Sequence, residues 1–439
     1  MPPAVTRREL LKLASSVTYA PLLPGILLAG GCGGGGGSPV PPAPAGDGYP
    51  GTDDQLLDEI EAAAFLYYWE QTDPATGQIK DRALAAGNDT RTLSSIAATG
   101  FGLTMLCIGD QRAYMPSAQI AARVQTTLQF VLDQLQGNNG FFYHFVDMSS
   151  GIRAGTSEVS SIDTAILLCG VLTCRAYFPN TQIASLATQI YQQVDWAWML
   201  NGGTTLAMAW TPESGFATGR WDHYSELMML YLLAIGSPTY PIPASSWSAW
   251  TRPTLTYQGL TYISGADPLF VHQYSHAWFD FRARSDAYAN YFQNSVTATE
   301  AHRLFCMGLS NQFSDYSGDL WGITASDSAN GYTVWGGPPP IGPIDGTVVP
   351  CATGGSLPFL YSDTIHVLRW IRGHYAQAWA RYGYVDAFNP LTGWYDGDVL
   401  GIDLGITALM AENQRSGFVW QTFMSNPEVV AAMSLAGFH

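Results

Sequence analysis

Apolar residues recur along this chain at helical spacing or in unbroken runs of helical length, and both patterns predict α-helices. The predicted helices are 56–69, 94–108, 120–135, 161–176, 181–200, 224–235, 297–310, 361–382 and 405–416. The segments between them, such as 321–347, are rich in Gly, Pro, Asp, Trp and Tyr. The pattern predicts an all-α protein built as an array of helical hairpins. Such an array forms an (α/α)6 toroid if it closes into a ring, but periodicity alone does not predict the closure.

The first 31 residues have the pattern of an export signal rather than of folded structure. Arg7 and Arg8 form a twin-arginine motif, and a short apolar segment, 22–28, follows them. That segment is shorter than the ~20 residues that a membrane-spanning helix needs. Small residues then precede Cys32, as at a bacterial lipoprotein cleavage site, so we expect Cys32 to be lipidated. The alternative is cleavage elsewhere, with Cys32 left as an ordinary thiol.

Beyond this signal, residues 32–51 are rich in Gly, Pro and Ser and predict a flexible tether. Residues 52–439 contain no further low-complexity break, so we expect them to form one large domain. The predicted protein is a monomer that a bacterium exports. It is a periplasmic or cell-surface lipoprotein if Cys32 carries lipid, and a secreted protein otherwise.

The charge balance restricts the possible partners. The formal net charge is −16, and Lys occurs only at Lys12 and Lys80. Nucleic acids and polyanionic polysaccharides need clustered cations, so the composition argues against both and favours a neutral partner. Aromatic residues make up 13% of the chain, and many stand beside Gly, Asp or His, so we expect some to line a cleft.

The remaining cysteines show no metal-ligand spacing, and their number is odd: Cys107, Cys169, Cys174, Cys306 and Cys351. We expect buried, hydrophobic thiols, since most of them lie among apolar residues. One disulfide is possible in an exported protein, but the sequence does not select a pair. The sequence predicts no structural zinc, no catalytic metal and no nucleotide or redox cofactor. It leaves open an incidental Ca²⁺ at an Asp-rich loop.

Glu226 stands at the head of the predicted helix 224–235 and is followed by Leu227, Met228 and Met229. A carboxyl group among such residues loses water, which disfavours its charged form, so we expect a raised pKa. A raised pKa suits a general acid near neutral pH. The alternative is a core carboxylate that pairs with Arg220 or His223.

A second polar cluster, 272–282, combines two histidines, aromatic residues, Asp280 and Arg282. Aromatic rings stack on pyranose faces, and polar side chains bind sugar hydroxyls, so this mixture suits a carbohydrate site. His272 and His276 are four residues apart and would share a helix face, as paired metal ligands do. They lack the Glu of a metalloprotease motif, so we expect hydroxyl binding or core hydrogen bonds instead. Asp280 and Arg282 are expected to form an ion pair or to bind sugar.

Five ordered motifs resemble the bacterial glucoamylase-like domain family: 221–228 (WDHYSELM), 273–280 (QYSHAWFD), 321–327 (WGITASD), 384–389 (YVDAFN) and 401–405 (GIDLG). This is the family of the β-1,2-glucanases, glycoside hydrolase family 144, which is related to the transglycosylase domain of cyclic β-1,2-glucan synthases. The resemblance covers nearly all of the chain after the tether. It implies an (α/α)6 toroid without a metal.

The resemblance also implies two essential carboxylates, Glu226 as general acid and Glu158 as its partner. Both lie at or just before the start of a predicted helix, where the helix dipole stabilises a negative charge. Glycosidic hydrolysis needs one protonated carboxyl and a second group that activates water or attacks carbon. For Glu158 and for Asp163, capping of the helix that starts at Ser160 or Ser161 is the alternative.

Further residues are predicted to contact the glycan: Asp163, Asp222, His223, Tyr274, His276, Trp278, Asp280, Arg282, Trp321, Asp327, Trp335 and Asp403. The alternatives are that the Trp residues belong to the core, that Asp327 and Asp403 brace loops, and that Asp222 pairs with Arg220.

The sequence therefore predicts an exported hydrolase that cleaves internal β-1,2-glucosidic linkages of a neutral glucan, with inversion. An exo-acting enzyme that releases sophorose is the first alternative, and the stiff segment 335–343 (WGGPPPIGP) could block one end of its groove. A glucan transglycosylase is the second alternative. The third is a non-catalytic glycan-binding lipoprotein, and this protein would need neither Glu158 nor Glu226. A polysaccharide lyase would require basic residues that this chain largely lacks.

Overall fold

The computed structural model describes residues 46–439. The predicted signal, Cys32 and most of the predicted tether lie outside the described residues. The helices, labelled α1 to α13, are Asp53–Glu70, Ile96–Gln111, Ser117–Asp133, Ser161–Tyr177, Gln182–Gln192, Trp196–Leu200, Met228–Gly236, Tyr291–Gly308, Pro350–Gly354, Tyr361–His374, Gly401–Arg415, Phe418–Phe423 and Pro427–Leu435. Short 3-10 helices lie at Ala244–Ser248, Leu269–His272, Tyr274–Ala277 and Ala376–Ala378.

Short antiparallel strands occupy the connections between the helices. The strands, β1 to β15, are Arg82–Leu84, Leu93–Ser95, Gly137–Asn138, Phe141–Phe142, Phe145–Asp147, Val159–Ser160, Ala209–Thr211, Gly215–Phe216, Thr254–Tyr257, Leu260–Ile263, Trp379–Ala380, Gly383–Tyr384, Phe388–Asn389, Trp394–Tyr395 and Asp398–Leu400. They pair as β1 with β15, β2 with β5, β3 with β4, β9 with β10, β11 with β12, β13 with β14, and in the order β6-β7-β8.

The helical prediction is confirmed for every predicted segment, but several helices differ in extent. The predicted helix 297–310 starts at Tyr291, and the predicted helix 405–416 starts at Gly401. The predicted helix 181–200 is two helices, because the chain breaks at 193–195 and Asp195 caps the second one. The predicted helix 361–382 ends at His374. The helix predicted from 224 starts only at Met228. The sequence did not predict the short helices α9, α12 and α13 or the strands.

Helices that are buried on nearly all sides form the centre of the molecule. Nearly every residue of α2, α4, α7 and α11 is buried. By contrast, α3 buries one face and exposes the other, as an amphipathic outer helix does. Helices α2 and α4 approach closely at two glycines, since a Cβ on Gly170 would lie 2.1 Å from the carbonyl oxygen of Gly100.

The packed structure begins a few residues before the predicted boundary at Thr52. Tyr49 is buried, and Arg369 binds Asp47 and the carbonyl oxygen of Tyr49. Thr52 caps α1 by accepting a hydrogen bond from the backbone N–H of Gln55. The end of the predicted tether is therefore part of the folded body. Among residues 46–439, no helix combines the length and apolar character needed to cross a bilayer.

The strands bring the N-terminal ends of three buried helices together. Strands β2, β6 and β15 lead directly into α2, α4 and α11. Strand β15 pairs with β1, and Lys80, two residues before β1, bridges to Ser94 in β2. Strand β2 pairs with β5, and Tyr143 bridges to Val159 in β6. The starts of α11, α2 and α4 thus lie along one connected edge.

Candidate active site

Glu226 lies two residues before α7 in a buried position. The residue is only 5% exposed, and Leu227, Met228 and Met229 are fully buried beside it. The hydroxyl of Ser275 donates to the carbonyl oxygen of Glu226 at 2.8 Å and accepts from the backbone N–H of Met229 at 3.0 Å. Ser275 therefore fixes the turn that presents Glu226. The predicted apolar surroundings of Glu226 are confirmed, whereas its role as an acid stays a prediction.

Arg220 and His223 are the partners that the sequence allowed for Glu226, and both bind other groups. Arg220 donates to the hydroxyl of Thr205 at 2.9 Å and to the carbonyl oxygen of Leu200 at 2.7 Å. His223 and Asp222 bind each other at 3.0 Å, with 41% and 58% of their side chains exposed. These two side chains face solvent in the segment that leads to Glu226, where a ligand can reach them.

Glu158 lies just before β6 and faces His144, a residue that the sequence analysis missed. The Nδ1 of His144 lies 3.2 Å from the Oε1 of Glu158, and the backbone N–H of His144 donates to the carbonyl oxygen of Glu158. Both side chains are mostly shielded but reach the surface, with 12% and 14% exposed. His144 belongs to no motif, because only the strand pairing of the fold brings it to Glu158.

Asp163 lies beside this pair, in the first turn of α4. Its Oδ2 is 3.8 Å from the Nδ1 of His144 and accepts a hydrogen bond from the hydroxyl of Ser160. Ser160 itself caps α4 by accepting from the backbone N–H of Asp163. The cap of α4 is thus Ser160, and neither Glu158 nor Asp163 is needed for that role.

One hydrogen bond joins the Glu158 segment to the Glu226 segment. The indole N–H of Trp221 donates to the hydroxyl of Ser161 at 2.9 Å. That hydroxyl also donates to the carbonyl oxygen of Ala207 at 2.8 Å. Because Ser161 starts α4 and Trp221 leads to Glu226, the contact ties the segment that follows Glu158 to the segment that precedes Glu226.

Asp403 extends this region to the start of α11. It is 6% exposed, and the hydroxyl of Tyr274 lies 3.5 Å from its Oδ1. Tyr274 directly precedes Ser275, which binds the Glu226 turn. Tyr274 thus lies between Asp403 and the Glu226 turn, but it is only 1% exposed, so its ring has no open face to stack on a sugar.

A group of buried carboxylates lies next to Asp403. The backbone N–H of Asp327 donates to Asp386 Oδ2 at 2.7 Å, and Arg82 Nη1 binds Asp327 Oδ2 at 2.6 Å. Burial first, and then the charges of Asp403 and Asp327, raise the pKa of Asp386 well above its usual range. Burial and Asp327 also raise the pKa of Asp396 to about 7. Arg82, Asp386 and Asp396 were not among the predicted site residues.

Three tryptophans predicted as stacking platforms are core residues instead. Trp278 and Trp321 are 0% exposed and Trp335 is 1% exposed. Trp278 packs on Phe101 and donates to the hydroxyl of Thr104. A ring without an exposed face cannot stack on a sugar, so this part of the prediction is wrong for all three.

The predicted histidine pair is part of a buried hydrogen-bond network. His272 and His276 lie in two successive 3-10 helices rather than on one helix face. The Nδ1 of His272 is 3.1 Å from the hydroxyl of Tyr224, and the Nε2 of His276 is 3.1 Å from the hydroxyl of Ser295. Burial lowers the pKa of each histidine to about 3. Of the two predicted uses, core hydrogen bonding is confirmed, and a glycan contact by the buried His276 is not.

Asp280 and Arg282 form the predicted ion pair, but at a distance from the candidate carboxylates. Arg282 Nε binds Asp280 Oδ1 at 2.9 Å, and its guanidinium lies 4.0 Å over the ring of Trp420. Trp420 is in α12, which follows the C-terminal end of α11, whereas Asp403 is in the first turn of α11. Because α11 has 15 residues, its two ends are roughly 20 Å apart. The predicted sugar contact of this pair is therefore not supported.

Comparisons with known proteins find similarity to glycoside hydrolases, both exo-acting and endo-acting. Residues 218–427 match a family model, Glycoamylase, described as "Putative glucoamylase". The chain is 28% identical over 421 residues to an "Exo beta-1,2-glucooligosaccharide sophorohydrolase (non-reducing end)" of Parabacteroides distasonis. The match covers 87% of this chain but 57% of that relative, so the chain spans little more than half of the relative's length.

Solved structures show the same similarity over the full fold. An "Endo-beta-1,2-glucanase" of Chitinophaga pinensis, in complex with sophorotriose and glucose, is 27% identical with a TM-score of 0.80, and the match covers 88% of this chain and 99% of that one. A "putative glucoamylase" of Bacteroides caccae is 27% identical with a TM-score of 0.81, over 88% and 100% of the two chains. A Talaromyces funiculosus endo-β-1,2-glucanase, 12% identical with a TM-score of 0.67 over 88% and 90%, shares the fold alone. The helix-rich fold is thus similar to that of the β-1,2-glucanases.

Proposed function

Because this chain carries a glucoamylase-like domain over residues 218–427, we propose that it is a glycoside hydrolase that cleaves the β-1,2-glucosidic linkages of a neutral glucan. The observation that carries the proposal is the placement of two glutamates. Glu158 and Glu226 precede neighbouring buried helices, α4 and α7, and the Trp221 to Ser161 hydrogen bond joins their segments. The named activities of the Parabacteroides and Chitinophaga relatives support the choice of linkage.

In the proposed mechanism, Glu226 is the general acid that protonates the leaving oxygen. Its buried position beside Leu227 and Met228 favours a neutral carboxyl. Glu158 is the second carboxylate and activates the attacking water, and His144 orients it from 3.2 Å. Asp222 and His223 are proposed to bind glucan hydroxyls from their solvent-facing positions. The reaction then inverts the anomeric centre in one displacement.

The proposed architecture is an (α/α)6 toroid with this site at one mouth. Buried helices alternate along the chain with helices that expose one face, and the last long buried helix, α11, packs on both α1 and α2. Contact between the end of the helical array and its start supports closure into a ring. The strand-linked starts of α2, α4 and α11 would line the mouth that holds Glu158 and Glu226.

We propose internal, endo-type cleavage, and an exo-acting sophorohydrolase is the second candidate because the Parabacteroides relative has that activity in its name. The segment 335–343 is the feature to examine. His302 Nδ1 lies 2.6 Å from the carbonyl oxygen of Gly337, and the hydroxyl of Tyr262 donates to that of Pro338 at 3.2 Å. A segment held in this way could close one end of a groove. From the sequence pattern we further propose a monomer that is exported and anchored through lipid at Cys32.

Product analysis tests this function. The purified protein is incubated with linear β-1,2-glucan, laminarin, a soluble cellulose derivative and starch, and the products are separated by thin-layer chromatography. We expect a ladder of oligosaccharides from β-1,2-glucan alone and none from the Glu226→Gln variant. Sophorose as the sole product would support the exo-acting candidate. Absence of products from all four polymers would contradict the hydrolase proposal.

A further inference from the structure

We propose that Asp327, Asp386 and Asp396 form a binding site for a calcium ion. The three residues come from different segments. Asp327 lies in the loop after α8, Asp386 between β12 and β13, and Asp396 between β14 and β15. A cation bound by all three residues would therefore link three loops beside the start of α11.

The spacing of the three carboxylates fits one ion. One oxygen from each residue lies within 4.8 Å of the other two. Calcium binds oxygen ligands at 2.3–2.6 Å, so oxygens around a single ion are up to roughly 5 Å apart. Oxygen-only ligands also favour Ca²⁺ over zinc, which prefers nitrogen and sulfur.

A second, independent observation is the hydrogen bonding of the same three side chains. Asp327 Oδ1, Asp386 Oδ1 and Asp396 Oδ2 are all buried and receive no hydrogen bond from a donor within residues 46–439. Asp386 is only 4% exposed and Asp327 only 8%. A buried carboxylate oxygen without a donor is costly, so a set of three calls for a positively charged ligand.

The other oxygen of each of the three carboxylates accepts a hydrogen bond that orients the side chain. Arg82 Nη1 binds Asp327 Oδ2 at 2.6 Å. The backbone N–H of Asp327 binds Asp386 Oδ2 at 2.7 Å, and the backbone N–H of Asp398 binds Asp396 Oδ1 at 3.2 Å. Asp327 and Asp396 are thus each oriented through one oxygen, and the other oxygen is left to coordinate. Asp386 in addition shares a side-chain hydrogen bond with Asp403.

The local charge balance points the same way. Arg82 is the cation that contacts this group, and it is shared with Asp81, which its Nε binds at 2.9 Å. Arg91 is taken up by Asp89 and Asp398. Three carboxylates therefore face one guanidinium, which a fourth carboxylate, Asp81, also binds, and Asp403 adds a further acidic side chain nearby. A divalent cation would offset that excess.

The chief competing explanation is proton sharing, in which Asp386 and a neighbouring carboxylate hold one proton between them instead of a metal. The two explanations differ in what calcium does. A calcium site stabilises the folded state by an amount that grows with the free Ca²⁺ concentration relative to Kd, whereas shared protons leave the stability independent of Ca²⁺. The inference does not depend on the hydrolase proposal, because its readouts are metal content and thermal stability rather than activity.

The experiment uses the full chain, dialysed against EGTA and then freed of the chelator. Calcium chloride is titrated by isothermal calorimetry, the metal content is measured by mass spectrometry after re-dialysis, and Tm is measured with Ca²⁺ and with EGTA. We expect one equivalent of Ca²⁺ and a Tm higher by several degrees with Ca²⁺. Asp396→Asn should weaken calcium binding at least about tenfold. The control Asp133→Asn removes the same charge from the exposed end of α3 and should bind as the wild type does.

Three results would overturn the proposal. The first is a wild-type protein that binds no calcium and has the same Tm in Ca²⁺ and in EGTA. This result would overturn the proposal even if the Asp396→Asn variant fails to fold. The second is an Asp396→Asn variant that binds calcium as tightly as the wild type. The third is an Asp396→Asn variant that is more stable than the wild type with and without Ca²⁺, which would indicate shared protons.

Discussion

The indole of Trp221 donates its N–H to the hydroxyl of Ser161 at 2.9 Å, and this bond connects the start of α4 to the segment that ends in Glu226. Trp221 is 3% exposed and Ser161 is fully buried, so the bond is shielded from competing water. A shielded bond between two segments restricts the relative movement of the residues beside it. In this protein Glu158 lies three residues before Ser161, and Glu226 lies five residues after Trp221.

Replacing Trp221 by Phe should therefore lower the turnover number clearly, while the free energy of unfolding falls only slightly. The change removes the donor but keeps most of the ring, and loss of one hydrogen bond costs about 1 kcal/mol of unfolding free energy. Turnover on β-1,2-glucan and urea unfolding are the two measurements. Trp196→Phe is the matched control, because the buried Trp196 Nε1 has no hydrogen-bond partner among the described residues. Equal turnover in both variants would show that the Trp221 bond does not position the site.

Replacing Trp278 by Ala should unfold the protein more easily without a specific change in KM. Trp278 is fully buried against Phe101, and a buried Trp→Ala change costs about 3–5 kcal/mol. The urea midpoint and the KM for β-1,2-glucan check this. A raised KM with an unchanged midpoint would mean that Trp278 contacts substrate after all.

The buried histidines should make stability depend on pH in mild acid. Burial, with His302 as the next cause, lowers the pKa of His272 to about 3, while an unfolded histidine titrates near 6.5. The groups that face His272 are the hydroxyl of Tyr224, the ring of Tyr262 and His302. Since the folded state resists protonation, the stability from neutral His272 is full above pH 6.5. It is lost as the pH falls from there toward 3.

His272→Gln tests that prediction. Between pH 6 and pH 4 the wild type should lose up to about 1.4 kcal/mol per pH unit more than the variant, since one proton fewer is linked to unfolding. Urea unfolding at several pH values provides the data. The comparison with the variant is needed because burial raises the pKa of Asp267 and of Asp315 to about 6, which acts in the opposite direction. Parallel pH profiles of the two proteins would contradict the assignment.

Gly170→Ala should destabilise the protein strongly. The added Cβ would lie 2.1 Å from the carbonyl oxygen of Gly100, so α2 and α4 must move apart, and overpacking of this kind costs about 1–3 kcal/mol or more. Thermal unfolding measures the change. Gly397→Ala is the control, because a Cβ there meets no atom within 4 Å. Similar Tm values for both variants would show that the two helices are not in tight contact.

How far the sequence predicts this molecule depends on whether a feature is local. Unbroken apolar runs such as 161–176 identify buried helices, because a helix that is apolar all round must be enclosed. The end of α10 at His374 was not predictable in the same way. Gly373 there packs on the backbone of Asp47 and Gly48, more than 300 residues away in sequence.

The same distinction between local and long-range features applies to the residues of the candidate site. Glu226 was predicted from its motif beside a helix start, and Glu158 was predicted only through the family resemblance. His144, Arg82 and Asp396 were missed because only the strand pairings bring them to other polar groups. The prediction for the tryptophans was wrong because their local sequence is ambiguous. A Trp beside Gly and Asp has the same sequence context whether its ring lines a cleft or fills the core.

The most direct test of the account compares initial rates on linear β-1,2-glucan for the wild type, Glu226→Gln, Glu158→Gln and Glu300→Gln. Glu300 pairs with Arg303 on α8 and serves as a control for the amide substitution itself. The account predicts a fall of about 10²–10⁴-fold for each of the first two variants, with wild-type Tm, and little change for Glu300→Gln. Rates for Glu226→Gln and Glu158→Gln within a few-fold of the wild type would contradict it.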